Sequence, residues 1–117
     1  RSSDLLELLG NLLDNACKWC RGRVRVRLRL DAHAVSARRL VIQVDDDGPG
    51  IPAGDRERVR ERGVRADERQ PGHGLGLAMV SDTAAAYGGE LRISASEDLG
   101  GARVEVRLPG RSLAASA

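Results

Sequence analysis

The sequence is poor in aromatic residues, and this scarcity limits the ligands that the protein is expected to bind. Only 2% of its 117 residues are aromatic, with one Trp, one Tyr and no Phe. Proteins that bind single-stranded nucleic acids stack the bases on aromatic side chains. The net charge of +2 is also small, although arginines supply all the basic residues except Lys18. The composition therefore gives no reason to expect a nucleic-acid partner.

The sequence also lacks the signals of membrane insertion and of a disulfide framework. No run of 18 apolar residues is present, so no membrane-spanning helix is predicted. No apolar stretch follows Arg1, so no signal peptide is expected, and a first residue other than Met indicates a piece of a longer protein. Cys17 and Cys20 have no second pair of soft ligands nearby, which favours two free thiols over a zinc site or a redox dithiol.

Hydrophobic periodicity and turn residues predict one domain over 1–109 and a flexible tail over 110–117. The predicted elements, in order, are a helix over 4–20, strands over 23–31 and 39–46, a short helix over 54–62, a helix over 75–87, and strands over 90–96 and 102–108. Short connections between consecutive strands favour antiparallel pairing, and the helices must then cover one face of the sheet. The predicted fold class is α+β, a two-layer α/β sandwich.

The first predicted strand alternates between aliphatic and arginine side chains. A period of two places four aliphatic residues on a face that is expected to be buried: Val24, Val26, Leu28 and Leu30. The opposite face carries four arginines: Arg23, Arg25, Arg27 and Arg29. Such a row occurs in nucleic-acid-binding stripes and also on solvated sheet faces with acidic neighbours. The small net charge favours the solvated face.

The first predicted helix carries two asparagines one turn apart on its polar face, Asn11 and Asn15, followed on the same face by Lys18. Amide oxygens at positions i and i+4 suit a shared Mg²⁺ ion, and the lysine suits phosphate. An exposed polar face without a ligand explains the same pattern equally well. The opposite side is expected to pack in the core through Leu5, Leu9, Leu12, Leu13, Ala16 and Cys20.

Two glycine-rich segments carry further candidate residues. After the second strand, the carboxylate of Asp46 is followed by Gly48 and Gly50, which suits an amino group on a flat ring but also suits a simple turn. Before the third helix, alternating glycines occur over 72–77, and a helix N-terminus attracts phosphate. This spacing matches neither the P-loop nor the Rossmann fingerprint.

In this order and spacing, the segments resemble the N, G1 and G2 boxes of the GHKL ATP-binding superfamily. Residues 11–19 (NLLDNACKW) resemble the N box, 46–52 (DDGPGIP) the G1 box and 72–77 (GHGLGL) the G2 box. Residues 100–109 (GGARVEVRLP) resemble the closing strand of the fold. The chain thus looks like the catalytic and ATP-binding domain of a bacterial sensor histidine kinase. Cys17-Lys18-Trp19, Arg62-Gly63 and Arg65-Ala66-Asp67 look closest to the PhoQ type.

The resemblance implies a Bergerat fold with a mixed, mostly antiparallel sheet, and it implies ATP and Mg²⁺ as ligands. It implies that Asn11 and Asn15 hold the metal and that Lys18 contacts phosphate. By the same resemblance, Asp46 binds the adenine amino group and Gly48 and Gly50 make room for the ring. The phosphates are expected to contact the G2 segment, Gly72, His73, Gly74, Leu75 and Gly76. Arg62 and Arg65 are expected in the lid near the γ-phosphate, where they and Lys18 support catalysis with Asn11.

The resemblance also implies partners: a dimerisation and phosphoacceptor domain of the same parent protein, and indirectly a response regulator. It implies a cytoplasmic domain of an inner-membrane sensor protein. Arg60 stands where kinases of this family often carry the Phe of the F box. Two alternative functions are a GHKL-type ATPase with Glu7 as general base, one turn before Asn11, and a non-catalytic ATP-binding interaction module.

Overall fold

The computed structural model describes residues 2–31, 39–60 and 74–109. Seven elements occur in this part of the chain, in an order that matches the sequence prediction: α1 (Ser2–Trp19), β1 (Val24–Asp31), β2 (Arg39–Asp46), α2 (Ala53–Arg60), α3 (Gly74–Ala86), β3 (Glu90–Ala95) and β4 (Ala102–Pro109). The predicted tail over 110–117 lies outside the described residues. None of the helices in the described part combines the length and the apolar character needed to cross a bilayer.

The described strands form one sheet in the order β1-β2-β4-β3, and every pairing is antiparallel. Val44 of β2 lies opposite Val26 on one side and Val104 on the other, so these residues share a face. Helices α1 and α3 pack on that face and against each other. The core between the two layers includes Leu8, Leu12, Ile42, Leu77, Val80, Leu91 and Val106. The predicted α+β two-layer sandwich is confirmed.

The prediction that the aliphatic face of β1 is buried was wrong for three of its four residues. Val26, Leu28 and Leu30 expose 42%, 62% and 56% of their surface, and only Val24 packs against the core. β1 is an edge strand among the described strands, and α1 lies over β2 instead. Alternation correctly predicted the strand, but the position of the strand in the sheet determined its burial.

The arginine face of β1 has the acidic neighbours that a solvated sheet face requires. Arg25 Nη2 lies 2.5 Å from Asp98 Oδ2, and Arg29 Nε lies 2.8 Å from Asp31 Oδ1. Arg27 Nη2 lies 3.9 Å from the same Asp98 oxygen. These ion pairs confirm the interpretation of the row as a charged, solvated face.

The buried face of α1 differs from the predicted one. Leu12 and Ala16 are buried as expected, but Leu8 and Asn15 are buried with them, whereas Leu13 is only half-buried. The helix packs against β2 on one side and α3 on the other, so its contact surface is turned toward the asparagine side. As a result, a polar side chain of the N box lies at the edge of the core.

Candidate functional site

Asp46 at the end of β2 is buried, with 2% of its surface exposed, and its carboxylate is held by backbone amides. Its Oδ1 atom accepts hydrogen bonds from Gly48 N at 2.8 Å and from Ala102 N at 3.2 Å. No hydrogen bond to its Oδ2 atom occurs among the described residues. One oxygen is therefore fixed by the fold, and the other is left to accept a hydrogen bond from a ligand.

The G1 loop lies directly against the end of α1. A Cβ atom on Gly48 would overlap the carbonyl oxygen of Trp19, so this close approach requires glycine. Asp47 strengthens the same junction, because its Oδ1 atom accepts hydrogen bonds from Arg21 N at 2.7 Å and from Gly22 N at 3.1 Å. The structure thus brings the N and G1 segments into contact, and Gly50 follows in the loop with a φ angle of +81°.

Asp47 was not among the predicted site residues, although it lies between two of them. Burial would raise the pKa of its carboxyl, but hydrogen bonds from the backbone amides of Arg21, Arg23 and Gly22 hold that pKa below its ordinary value. The charged form is therefore the one that joins the G1 loop to the end of α1. The sequence shows a run of three aspartates at this point, but the run does not indicate which of the three carboxylates joins the G1 loop to α1.

The polar residues of α1 differ in burial in a way that is relevant to a ligand. Asn15 is 4% exposed, and its Oδ1 atom is buried without a hydrogen-bond partner among the described residues. Asn11 is half-buried, while Lys18 and Glu7 are exposed. A buried amide oxygen without a partner is unfavourable unless a ligand or ion satisfies it. The donor type at Asn15 therefore fits a hard cation such as Mg²⁺.

The start of α3 lies toward the C-terminal end of α1, where Asn15 is located. Tyr87, one residue beyond α3, donates its hydroxyl hydrogen to Asp4 Oδ2 at 2.7 Å, which joins the end of α3 to the start of α1. The two helices pack together and therefore run in opposite directions. A rise of about 16 Å along each helix from this contact leads to Asn15 on α1 and to Gly76 on α3. The described part of the G2 segment, at the start of α3, thus approaches the N segment.

Gly74, Leu75 and Gly76 form the first turn of α3. The amides of a first turn have no partner within the helix, and together with the helix dipole they attract anions. The other four predicted site residues, Arg62, Arg65, Gly72 and His73, lie outside the described residues. Arg60, at the F-box position, is the last residue of α2.

Known sequences similar to this chain have related descriptions. A family model described as histidine kinase-, DNA gyrase B-, and HSP90-like ATPase matches residues 1–112. The sensor protein kinase CarS of Pseudomonas aeruginosa is 52% identical over 106 residues, which are 91% of this chain and 22% of CarS. The sensor protein PhoQ of Escherichia coli is 44% identical over 105 residues, which are 89% of this chain and 20% of PhoQ. The chain spans about a fifth of the length of these relatives.

Solved structures with related sequences have the same fold as this chain. A mycobacterial sensor histidine kinase, MprB, superposes with a TM-score of 0.72 at 36% identity, over 93% of this chain and 72% of that one. Full-length ShkA in complex with AMPPNP superposes with a TM-score of 0.66 at 34% identity, over 91% of this chain and 21% of that one. These similarities agree with the resemblance that the three motifs indicated.

Proposed function

Because the chain belongs to the histidine kinase-, DNA gyrase B- and HSP90-like ATPase family, we propose that it binds Mg-ATP and transfers the γ-phosphoryl group to a histidine on a separate domain. That domain is the dimerisation and phosphoacceptor domain of the same parent protein, and a response regulator receives the phosphoryl group from it. The parent is an inner-membrane sensor with this domain in the cytoplasm. The observation that carries the proposal is the buried Asp46 carboxylate, with one oxygen fixed and the other left to a ligand.

Asp46 accepts the hydrogen bond of the adenine amino group in this proposal. A buried carboxylate that two amides already orient pays little further entropy to bind a single donor. Gly48 and Gly50 give the ring access to the backbone of the G1 loop. The phosphates lie at the start of α3, where the backbone of Gly72, His73, Gly74, Leu75 and Gly76 surrounds them and the helix N-terminus attracts their charge.

Asn11 and Asn15 hold the metal in this proposal, and the unsatisfied Oδ1 atom of Asn15 supports their assignment. Mg²⁺, when bound, neutralises charge on the phosphate oxygens. Lys18 is exposed on the same helix and contacts phosphate as a point charge. Arg62 and Arg65 act from the lid, where a planar guanidinium pairs with two oxygens of the γ-phosphate.

Phosphoryl transfer in this site depends mainly on positioning. A histidine nitrogen of the phosphoacceptor domain attacks the γ-phosphorus in line with the leaving oxygen of the β-phosphate. A new nitrogen–phosphorus bond forms as the bond to the leaving oxygen breaks, and ADP departs with that electron pair. Lys18, Arg62 and Arg65 offset the negative charge during transfer, and no residue of this chain becomes covalently modified.

The substitution Asp46→Asn tests the nucleotide site. It replaces an acceptor with an amide that can present a donor to the adenine amino group, so ATP affinity is expected to fall by about 1–3 kcal/mol. Isothermal calorimetry on the purified chain measures the affinity, and circular dichroism checks that the fold persists. Unchanged affinity would remove Asp46 from the site.

Labelling with γ-labelled ATP tests the reaction. The isolated chain is expected to bind ATP and to remain unlabelled, because the nucleophile belongs to another domain that must be held in line with the γ-phosphate. Adding a phosphoacceptor domain from a related sensor kinase should produce acid-labile label on that domain. Acid-labile label on the isolated chain would contradict transfer to a separate domain, and steady ATP hydrolysis without a partner would favour the ATPase alternative.

A further inference from the structure

The turn between β3 and β4, residues 96–101, is fixed to both faces of the end of β2. Gly101 N donates to the backbone oxygen of Asp46 at 3.0 Å, and on the helix-covered face Ala102 N, just beyond the turn, donates to Asp46 Oδ1 at 3.2 Å. On the opposite face, Ser96 Oγ donates to Asp45 Oδ2 at 2.6 Å. Asp45 is itself 1% exposed and lies 3.0 Å from Arg103 Nη2. Two consecutive carboxylates of β2 therefore hold one turn.

Gly101 is the point at which this turn touches the candidate site. It is buried, and a Cβ atom at this position would overlap Asp46 Oδ1. The same atom would lie 2.5 Å from Asp46 O and 2.6 Å from Gly48 N. Real Cβ atoms do not approach other atoms this closely, so any side chain here must displace either the Asp46 carboxylate or the turn.

We propose that Gly101 is a positioning residue for adenine recognition: its missing side chain lets the turn approach Asp46 and fix the direction of the carboxylate. The proposal rests on the proposed function of Asp46 as the acceptor for the adenine amino group. Two oxygens of Asp46, the carbonyl oxygen and Oδ1, are bound by the Gly101–Ala102 backbone. The direction of the remaining Oδ2 atom is therefore set jointly by Gly48 N and by a turn that lies far away in the sequence.

A side chain at Gly101 would change the direction of the Asp46 Oδ2 atom, whether the turn or the carboxylate moves to make room for it. If the turn moves away, Asp46 Oδ1 loses the amide of Ala102, and only Gly48 N then holds the carboxylate. If the carboxylate rotates first, Oδ2 no longer points toward the base. In both cases the lost interaction is the one with the amino group, while the phosphate contacts proposed at the start of α3 do not involve this turn.

Base selectivity measures this effect directly. Inosine triphosphate has the same phosphates as ATP but carries a carbonyl oxygen in place of the 6-amino group. It therefore cannot donate the hydrogen bond that Asp46 accepts from adenine. For Gly101→Ala in the 117-residue chain, ATP affinity is expected to fall about tenfold or more, while ITP affinity stays within about twofold. Gly54→Ala is the matched control, because a Cβ there would meet no described atom within 4 Å apart from its neighbours in its own helix, and both affinities should be unchanged.

The outcomes separate this proposal from the function on which it rests. In one outcome, the original chain prefers ATP over ITP, Asp46→Asn removes this preference and Gly101→Ala retains it. That result would overturn the positioning role of Gly101 and leave the adenine contact of Asp46 standing. Equal losses for ATP and ITP in Gly101→Ala also overturn it, because they indicate a general structural defect. A chain without any preference for ATP overturns the adenine contact and the positioning role together.

A second variant covers the case in which Gly101→Ala does not fold. Ser96→Ala removes the hydrogen bond to Asp45 and the one from Leu99 N to Ser96 Oγ, without adding an atom to the site. The turn is then held from one side only, and the preference for ATP over ITP is expected to fall about threefold. An unchanged preference in the folded Ser96→Ala chain would overturn the proposal.

Discussion

The three consecutive aspartates at the end of β2 have three different structural roles, although they are chemically identical. Asp45 faces the charged side of the sheet and pairs with Arg103, while Asp46 faces the helices and accepts amide hydrogen bonds from Gly48 and Ala102. Asp47 joins the loop to the end of α1. Alternation along a strand separates the first two, and the break after the strand redirects the third.

The two asparagines of α1 are expected to act through the metal. Asn11→Ala and Asn15→Ala should each weaken ATP binding in the presence of Mg²⁺ and leave binding in EDTA nearly unchanged, because an amide oxygen that ligates the ion matters only when the ion is present. Calorimetry with and without Mg²⁺ measures this difference. Asp14→Ala is the control, since Asp14 is exposed between them on the same helix. Equal losses in both conditions would assign the asparagines to packing.

Two glycines offer a matched test of close packing at the junction of α1 with the G1 loop. Gly48→Ala is expected to destabilise the chain by about 1–3 kcal/mol, because the new methyl group overlaps the Trp19 carbonyl oxygen. Gly10→Ala adds the same methyl group within α1, where no described atom outside the neighbouring turns of the helix lies within 4 Å. It should stabilise the chain by about 0.5–1 kcal/mol. Urea unfolding measures both changes, and a tolerated Gly48→Ala would contradict the contact.

At the scale of the elements, the strands of the sheet contribute unequally to the core. β2 and β4 lie in the middle of the described sheet, and their helix-facing residues are buried except for Leu40, which is half-buried. β1 pairs with β2 along its whole length, but three of its four aliphatic side chains remain open to solvent. The hydrogen-bond ladder therefore holds β1 in place, whereas the hydrophobic layer is built mainly by the inner strands and the two long helices.

A cross-strand pair tests this difference. Leu28 and Ile42 are register partners on the same face, but Leu28 is 62% exposed and Ile42 is 2% exposed. Ile42→Ala is expected to cost about 2–5 kcal/mol in the free energy of unfolding, and Leu28→Ala less than about 1 kcal/mol. Chemical denaturation of both variants measures the two costs. A large cost for Leu28→Ala would mean that β1 is covered in solution.

For the whole molecule, carboxylates on the charged side of the sheet and at the junction with α1 make the stability of the fold depend on pH. The Arg25 hydrogen bond lowers the pKa of Asp98, and backbone hydrogen bonds lower that of Asp47 against the effect of burial. Burial would likewise raise the pKa of Glu105, but hydrogen bonds from Gln43 and Arg107 hold it below its ordinary value. In each case the folded state favours the ionised carboxylate.

The stability that these carboxylates contribute is expected to be present above about pH 5 and lost as the pH falls below about 4. The unfolded chain takes up protons there, while the folded chain resists protonation until its lower pKa values are reached. Urea midpoints measured between pH 6 and pH 3 should therefore fall toward acid. Asp98→Asn should make the fall shallower, and midpoints that do not change with pH would contradict the lowered pKa values.

The sequence by itself determined the order and type of the elements and the family of the chain. Periods of two and 3.6 residues, together with glycine and proline at the ends, are local properties, so they are readable without a structure. The motifs at 11–19, 46–52 and 72–77 are also local, and the family comparison confirmed the resemblance drawn from them. The antiparallel sandwich followed from the short connections between strands.

Only the tertiary structure decided which neighbours each local pattern meets. The aliphatic face of β1 is exposed because the strand lies at the edge, and α1 buries Asn15 because β2 and α3 enclose that side of the helix. The contact of Gly101 with Asp46 joins residues far apart in the chain, and no local pattern encodes it. Burial and close approach depend on what lies across the gap between elements, so they arise only when the layers pack together.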